Sequence, residues 1–237
     1  MSKAAIVAAL EREVHPLVKN WRRSDKVHDS RTFRFFESEK WIVVCGGVGA
    51  EAARRAAEAA MALYEPNVIY SAGFAGALES GLKVGDILQP ARVVNVSDGS
   101  SITVDGGVGV LVSFSSVASP EQKAKLHESF GAQAVDMEAA AVGRAAEARG
   151  VAFRVAKVIS DEVHFKFPSV ERFVDSSGNF SETRFALFAA IRPWMWLQIY
   201  HLASNSKRAS SALCERLRQL LLEHASSSAQ ARPSAAI

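Results

Sequence analysis

The chain has 237 residues, 49% of them apolar and 22% charged, and a net charge of +3. That length suits one large domain or two small ones, and the composition excludes a disordered or collagen-like chain. The small net charge carries no case for nucleic acid, and no apolar run reaches the roughly 20 residues that span a bilayer.

Residues 4–10 form a short continuous apolar run of the kind a buried strand shows. Glu11-Arg12-Glu13 cuts it short, which argues against a secretory leader. Residues 32–36 and 41–45 flank the polar Glu37-Ser38-Glu39-Lys40 and read as a hairpin. Gly46-Gly47-Val48-Gly49 breaks the strand, and Ala50–Tyr64, rich in Ala, Arg and Glu, is a strong helix former. After Pro66, residues 67–71 are the next strand, and Gly73-Phe74-Ala75-Gly76 is expected to open a loop. Residues 84–88 begin another β segment. Residues 93–114 alternate β-branched residues with Gly, Ser and Asp and read as short strands and turns. Pro120 starts a helix at its favoured first position. Residues 137–149 are Ala-rich and helical, Gly150 caps them, and residues 152–159 are one more buried strand.

Strands alternating with helices argue for an α/β domain with a mixed sheet. Residues 1–225 are read as one domain, with residues 184–225 as a basic, aromatic, helical extension. Leu213, Leu217, Leu220 and Leu221 lie there at helical spacing. Residues 226–237, small and polar, are expected to be disordered. From Arg184 onward the chain carries seven Lys or Arg against two Asp or Glu, a basic end on a near-neutral body. Arg192-Pro193-Trp194-Met195-Trp196 and Tyr200 add aromatic rings beside those charges. Residues 192–208 are therefore a candidate for peripheral contact with a membrane face, or for packing on the core or a second subunit. Cys45 and Cys214 are too few for a disulfide scaffold or a Cys-based zinc site. They indicate a reducing, cytoplasmic compartment. The six histidines are scattered, so no metal is expected, and His164 reads as a surface or supporting residue.

Gly47-x-Gly49-x-x-Ala52 follows a strand and opens a helix, the layout of a dinucleotide-binding turn. The acid that should follow about 20 residues on is missing, so no nicotinamide cofactor is expected. The glycines still free backbone N–H groups for an anion or a polar ligand. Arg54 and Arg55 read as a solvated helix face.

Three acid-bearing stretches lie just after strands or at helix starts: Glu11-Arg12-Glu13, Asp136-Met137-Glu138 and Ser160-Asp161-Glu162. In an open α/β sheet, carboxyl ends of strands are where ligands bind. Singly, each acid could equally cap a helix. Together with Ser-Ala-Gly-Phe-Ala-Gly-Ala-Leu at residues 71–78 and Lys-Val-Gly-Asp-Ile-Leu at residues 83–88, they resemble the nucleoside phosphorylase and nucleosidase superfamily. The nearest branch in that resemblance is the methylthioadenosine/S-adenosylhomocysteine nucleosidases, and it runs from Ala4 to about Glu162. It implies a three-layer α/β/α sandwich around a mixed, partly barrel-like sheet, a small-molecule nucleoside substrate and a homo-oligomer, a dimer by default.

The reaction so implied is cleavage of a C–N glycosidic bond through an oxocarbenium-like transition state. By their matches, Asp161 is the general acid on the purine and Glu13 the activator of water. Glu138 holds the ribose hydroxyls, Met137 packs beneath the sugar, and Ser160 orients the acid. Gly73, Phe74 and Val117 fall at further substrate-binding positions. Phe74 stands where the family loop carries Ser, and the early phosphate loop Gly-Asp-Pro-x-Arg is missing, which favours water over phosphate. Val117 stands where an aromatic ring stacks on the purine; Phe114 could supply one from a shifted register. The C-terminal Arg-Pro-Trp, Asn205-Ser206 and Arg208-Ala209-Ser210 are similar to the hopanoid-associated phosphorylases, which implies a lipid-linked nucleoside such as adenosylhopane. A phosphorylase using inorganic phosphate as co-substrate, and a non-catalytic binding module of the same fold, are the alternatives.

Overall fold

The computed structural model describes residues 4–165 and 196–230. Strand β1 (Ala4–Ala8) is central, because every one of its five residues is apolar and buried. It pairs in parallel with β4 (Trp41–Cys45) on one side and β5 (Val68–Ala77) on the other. β3 (Arg31–Glu37) lies antiparallel to β4, as the expected hairpin. The sequence reading passes over β2 (Arg22–His28), which pairs antiparallel with β3 at the sheet's edge. Asp29 and Ser30, both at positive φ, make the two-residue turn between them.

β5 does not end in a loop at Gly73. It runs on to Ala77, so the glycine stretch is strand, held on one edge by β11 (Ala152–Asp161) in parallel and on the other by β10 (Ala134–Asp136) in antiparallel. The sheet forks there. One row continues through β10, β9 (Val110–Ser113), β7 (Arg92–Asn95) and β8 (Ser101–Thr103), while β11 carries the short β6 (Ile87–Leu88).

Alternation along β1 sends Ala5 and Val7 to one face and Ala4, Ile6 and Ala8 to the other. On the first face they meet the alanines of α2 (Ala50–Tyr64), with Val142 and Ala146 of α4 (Ala139–Glu147). On the second they meet Val14 and Leu17 of α1 (Glu11–Val18) and Leu213, Leu217 and Leu220 of α5 (Trp196–Gln230). This is the expected three-layer sandwich around a mixed sheet. α3 (Pro120–Phe130) packs against β9 and β10, with Pro120 in the first turn and a Ser119–Gln122 capping box before it.

Helix α5 reaches Gln230, five residues into the stretch expected to be disordered. Arg192 to Met195, the first part of the aromatic stretch, and residues 231–237 lie outside the described residues. Of the described part of residues 192–208, Tyr200 is exposed. Cys45 and Cys214 are free thiols. Among the described residues no helix is long and apolar enough to cross a membrane.

Candidate active site

β1, β5 and β11 are mutually parallel, so their carboxyl ends share one edge of the sheet. A cavity of about 400 Å³ opens there. Glu13, Met137, Glu138, Ser160, Asp161, Phe74 and Val117 all line it. The three carboxylates come from stretches far apart in sequence and are nearly sealed from solvent, Glu13 at 5%, Glu138 at 9% and Asp161 at 3% exposure.

Gly73 is the exception among the expected residues. It lies one position short of the lining, and a Cβ there would come 3.0 Å from Glu13 Oε2. Its part is to let α1's carboxylate approach β5. Phe114 is not in the lining either; its ring packs with Leu78, Val112 and Leu126 in a separate core cluster. Among the described residues, the aromatic ring in the cavity lining is Phe74.

Each acid is held by a local device. Glu13 is the third residue of α1, and its Oε2 accepts from the backbone N–H groups of Ala9 and Leu10 at 3.2 and 3.3 Å. Glu138 caps α4, and its Oε1 accepts from the Gly49 N–H at 2.8 Å. The glycine turn that resembles a dinucleotide site therefore binds a carboxylate of its own chain. Asp161 sits just past a bulge: Ile159 pairs with Ala75 and Asp161 with Gly76, leaving Ser160 as the extra residue. In a regular strand these neighbours would face opposite ways; the bulge lets both line the cavity. Ser160 Oγ donates to Asp161 Oδ1 at 2.7 Å.

Two buried lysines, each 1% exposed, were not singled out from the sequence. Lys157 Nζ pairs with Asp136 Oδ2 at 2.8 Å. Asp136 is fixed in turn by Ser113 Oγ at 2.6 Å and the Ala139 N–H at 2.8 Å. Lys123 Nζ donates to Asp161 Oδ2 at 2.5 Å and to the Glu162 carbonyl at 2.8 Å. A lysine inside the apolar run Val155-Ala156-Lys157-Val158-Ile159 is a readable signal, since such a charge needs a partner. Lys123 is fainter: it stands three residues before the buried Leu126, on the apolar side of a polar helix.

Burial raises the pKa of Glu13, against the opposing pull of Lys157 and the two N–H bonds. Burial likewise lifts Glu138 to about 7, helped by Asp136 and Glu13 and opposed by Lys157 and the Gly49 N–H. Burial works against the charge of Lys157, but Asp136, Glu138 and Glu13 outweigh it and raise its pKa. The site thus sets two carboxyl groups of raised pKa, Glu13 and Glu138, beside the buried cation Lys157. Arg54 and Arg55 pair with Glu51 and Glu58 on the outer face of α2, and His164 is exposed. Among the described residues no group of three or more His, Cys, Asp or Glu is placed to hold a metal ion.

A groove of about 730 Å³ adjoins the cavity and shares Arg12, Phe74 and Leu202 with it. It runs between α1 and α5, with His15, Pro16, Ala203 and Lys207 along its walls.

The fold is similar to that of the Helicobacter pylori 5'-methylthioadenosine/S-adenosylhomocysteine nucleosidase (TM-score 0.71, 17% identity, covering 94% of this chain and 98% of that one). It is also similar to the Neisseria meningitidis nucleosidase of the same name (0.69, 16%, 93% and 99%) and to the Helicobacter pylori futalosine hydrolase (0.65, 18%, 92% and 98%). No curated protein matches the sequence. The family model of the phosphorylase superfamily matches residues 3–110 and 108–191, most of the chain and all three acidic stretches. The expected class, an N-glycosyl hydrolase or phosphorylase, agrees with both comparisons: the chain belongs to the phosphorylase superfamily.

Proposed function

We propose that this protein hydrolyses the N-glycosidic bond of an adenine nucleoside. The observation that carries the reading is the meeting of Glu13, Glu138 and Asp161 in one largely apolar cavity. Asp161 protonates a purine ring nitrogen, so that the base leaves neutral. Glu138 keeps lone pairs beyond its bond to Gly49 and accepts from the ribose hydroxyls. Glu13 takes a proton from the attacking water on the other side of the sugar. Burial raises its pKa, which makes its carboxylate a stronger base. Met137 packs under the sugar, and Phe74 and Val117 border the base and the 5' side. The Neisseria meningitidis relative is in complex with methylthio-immucillin-A, a nucleoside analogue, which supports a small nucleoside as ligand class.

The adjoining groove supports a bulky 5' substituent. Its lining joins the apolar Pro16, Phe74, Leu202 and Ala203 to serines, Glu11 and the cations Arg12 and Lys207, which suits a long chain carrying polar groups, a lipid-linked nucleoside among them. Phosphorolysis is the second reading, favoured by Arg12 beside Glu13 in the cavity lining.

Adenine release from a series of adenosine 5'-derivatives, with and without inorganic phosphate, tests both. Release without phosphate, lost in Asp161→Asn, is the expected result. Release only with phosphate would move the enzyme to the phosphorylases. A folded protein that releases adenine from no member would leave a binding module.

A further inference from the structure

Lys123 breaks a local rule. It stands in the first turn of α3, the positive end of the helix dipole, where a cation is disfavoured. Lysine is also rarely sealed from solvent unless paired, and a buried ion pair contributes no more to stability than a well-packed apolar pair. Here both ends of the pair line the cavity: Lys123 Nζ lies 2.5 Å from Asp161 Oδ2. Gly76 keeps the space open, for a Cβ there would stand 2.8 Å from that oxygen and 3.2 Å from Lys123 Cε. The other charged groups around the cavity are Arg12 and Glu13 from α1, Asp136 from β10 and Glu138 from the start of α4. Lys157 of β11 is tied to Asp136, and the Glu162 carboxylate is paired with Lys83.

We propose that Lys123 is the proton reservoir for the acid, acting through Asp161 and touching no reacting atom itself. This rests on the hydrolase reading above, in which Asp161 protonates the base. An ammonium and a carboxylate form the resting pair, and a carboxylate cannot protonate anything. The proton first crosses the Nζ–H···Oδ2 bond, giving a neutral amine and a neutral carboxyl with the pair's net charge unchanged. As the C–N bond breaks, its electron pair stays with the base, and the carboxyl O–H proton passes to a purine ring nitrogen. The pair is left as amine and carboxylate. The water that attacks the sugar yields its proton to Glu13; once the base has gone, Glu13 releases that proton to solvent and a proton from solvent restores the ammonium.

The test is the pH dependence of adenine release from 5'-methylthioadenosine and adenosine by the wild type, Lys123→Met and Lys123→Arg, with a thermal melt of each. The wild type should keep its rate to higher pH than Lys123→Met does. In Lys123→Met the carboxyl must draw its proton from solvent, so release should survive in acid and fall at least about tenfold behind wild type by pH 8. Arginine restores the charge and the pairing but does not surrender its proton. Lys123→Arg should melt near the wild type, yet release adenine about 100-fold more slowly at every pH. Wild-type rates in Lys123→Arg would reduce Lys123 to a fixed charge and overturn the proposal, as would a wild-type profile in Lys123→Met. If neither variant folds, Gly76→Ala decides, since its Cβ parts Asp161 Oδ2 from Lys123 while keeping both charges: a selective loss of release at alkaline pH is expected, and a wild-type profile would overturn the proposal. A wild type that releases adenine from no nucleoside fells the hydrolase reading itself, and the reservoir with it.

Discussion

Gly49 and Glu138, 89 residues apart in sequence, meet through a 2.8 Å hydrogen bond from the Gly49 N–H to Oε1. That bond ties the glycine turn before α2 to the start of α4 and fixes the carboxylate read here as the ribose acceptor. Gly49 sits at φ +97°, ψ 165°, a conformation essentially closed to residues with a side chain.

Gly49→Ala therefore tests the turn without a steric clash, since its Cβ would meet nothing within 4 Å. We expect about 1–3 kcal/mol of destabilisation from backbone strain alone. If the turn relaxes to avoid that strain, the N–H swings away from Glu138 and KM rises more than kcat falls. Denaturant melts and steady-state kinetics on the same variant separate these effects. An unchanged KM would mean that Glu138 holds its position without Gly49.

Lys157 is the counterion for three buried carboxyl groups, so Lys157→Met should cost about 3–5 kcal/mol at neutral pH. The pH dependence has a definite sign. Glu13 and Glu138 both have folded-state pKa values above the ordinary carboxylate value, and through Glu138 the folded state binds an extra proton as pH falls from about 7 toward 4.5. Their contribution makes the wild type less stable as pH rises through that window. Removing Lys157 raises both groups further and should steepen the trend. With Glu13 as the proposed base, the acid limb of the rate profile should move to higher pH in the same variant. A flat stability profile between pH 5 and 8 would contradict this.

The sequence announces some elements well and hides others for physical reasons. Helix α2 is legible to its ends because Ala, Arg and Glu favour helix and Gly49 and Pro66 flank it. Helix α3 is legible from Ser119 and Pro120. β2 is hidden because Arg22 to His28 is mostly charged or polar and only its edge is paired. The end of β5 is hidden because glycines read as a break, whereas here pairing on both edges supplies what the missing side chains cannot. The acids Glu13, Glu138 and Asp161 stand out by their place after apolar runs. Their partners are fainter: Lys123 gains meaning only once folding brings α3 to β11, and the N–H groups that the glycine turn frees find their anion only when the turn meets α4.

Glu37 links the β2 edge to the rest of the sheet. It accepts from Arg22 Nη2 at 2.7 Å, Ser24 Oγ at 2.5 Å and the Tyr64 hydroxyl at 2.8 Å. Burial alone would raise its pKa, but these three donors and the nearby Lys26 hold it at about 2. A depressed carboxyl contributes stability above its unfolded value, near 4.5, and loses it as pH falls toward 2. Glu37→Gln should cost about 2 kcal/mol at pH 7, with the difference from wild type vanishing near pH 2. Urea melts at four pH values check this, and a constant offset at all of them would rule out the charge as the cause.

Gly76 and Gly81 make a matched pair for asking whether the acid end of the site is built to close tolerance. Neither has a positive φ, so alanine fits the backbone at both. At Gly81 a Cβ meets nothing within 4 Å, and Gly81→Ala should be neutral or stabilising by up to about 1 kcal/mol, through the unfolded chain. At Gly76 the Cβ would meet Asp161 Oδ2 at 2.8 Å and Lys123 Nζ at 3.3 Å. The side-chain ends must shift by several tenths of an ångström, and the 2.5 Å contact between them is the first to open. Gly76→Ala should therefore fold, with a melting temperature close to that of Gly81→Ala, while adenine release drops at least about tenfold. The loss should fall on kcat, because Glu138, the proposed ribose acceptor, comes from the start of α4 and is untouched. Equal activity in the two alanine variants would show that the Lys123–Asp161 pair tolerates displacement, and the acid would then have to work from a looser geometry than the structure gives it.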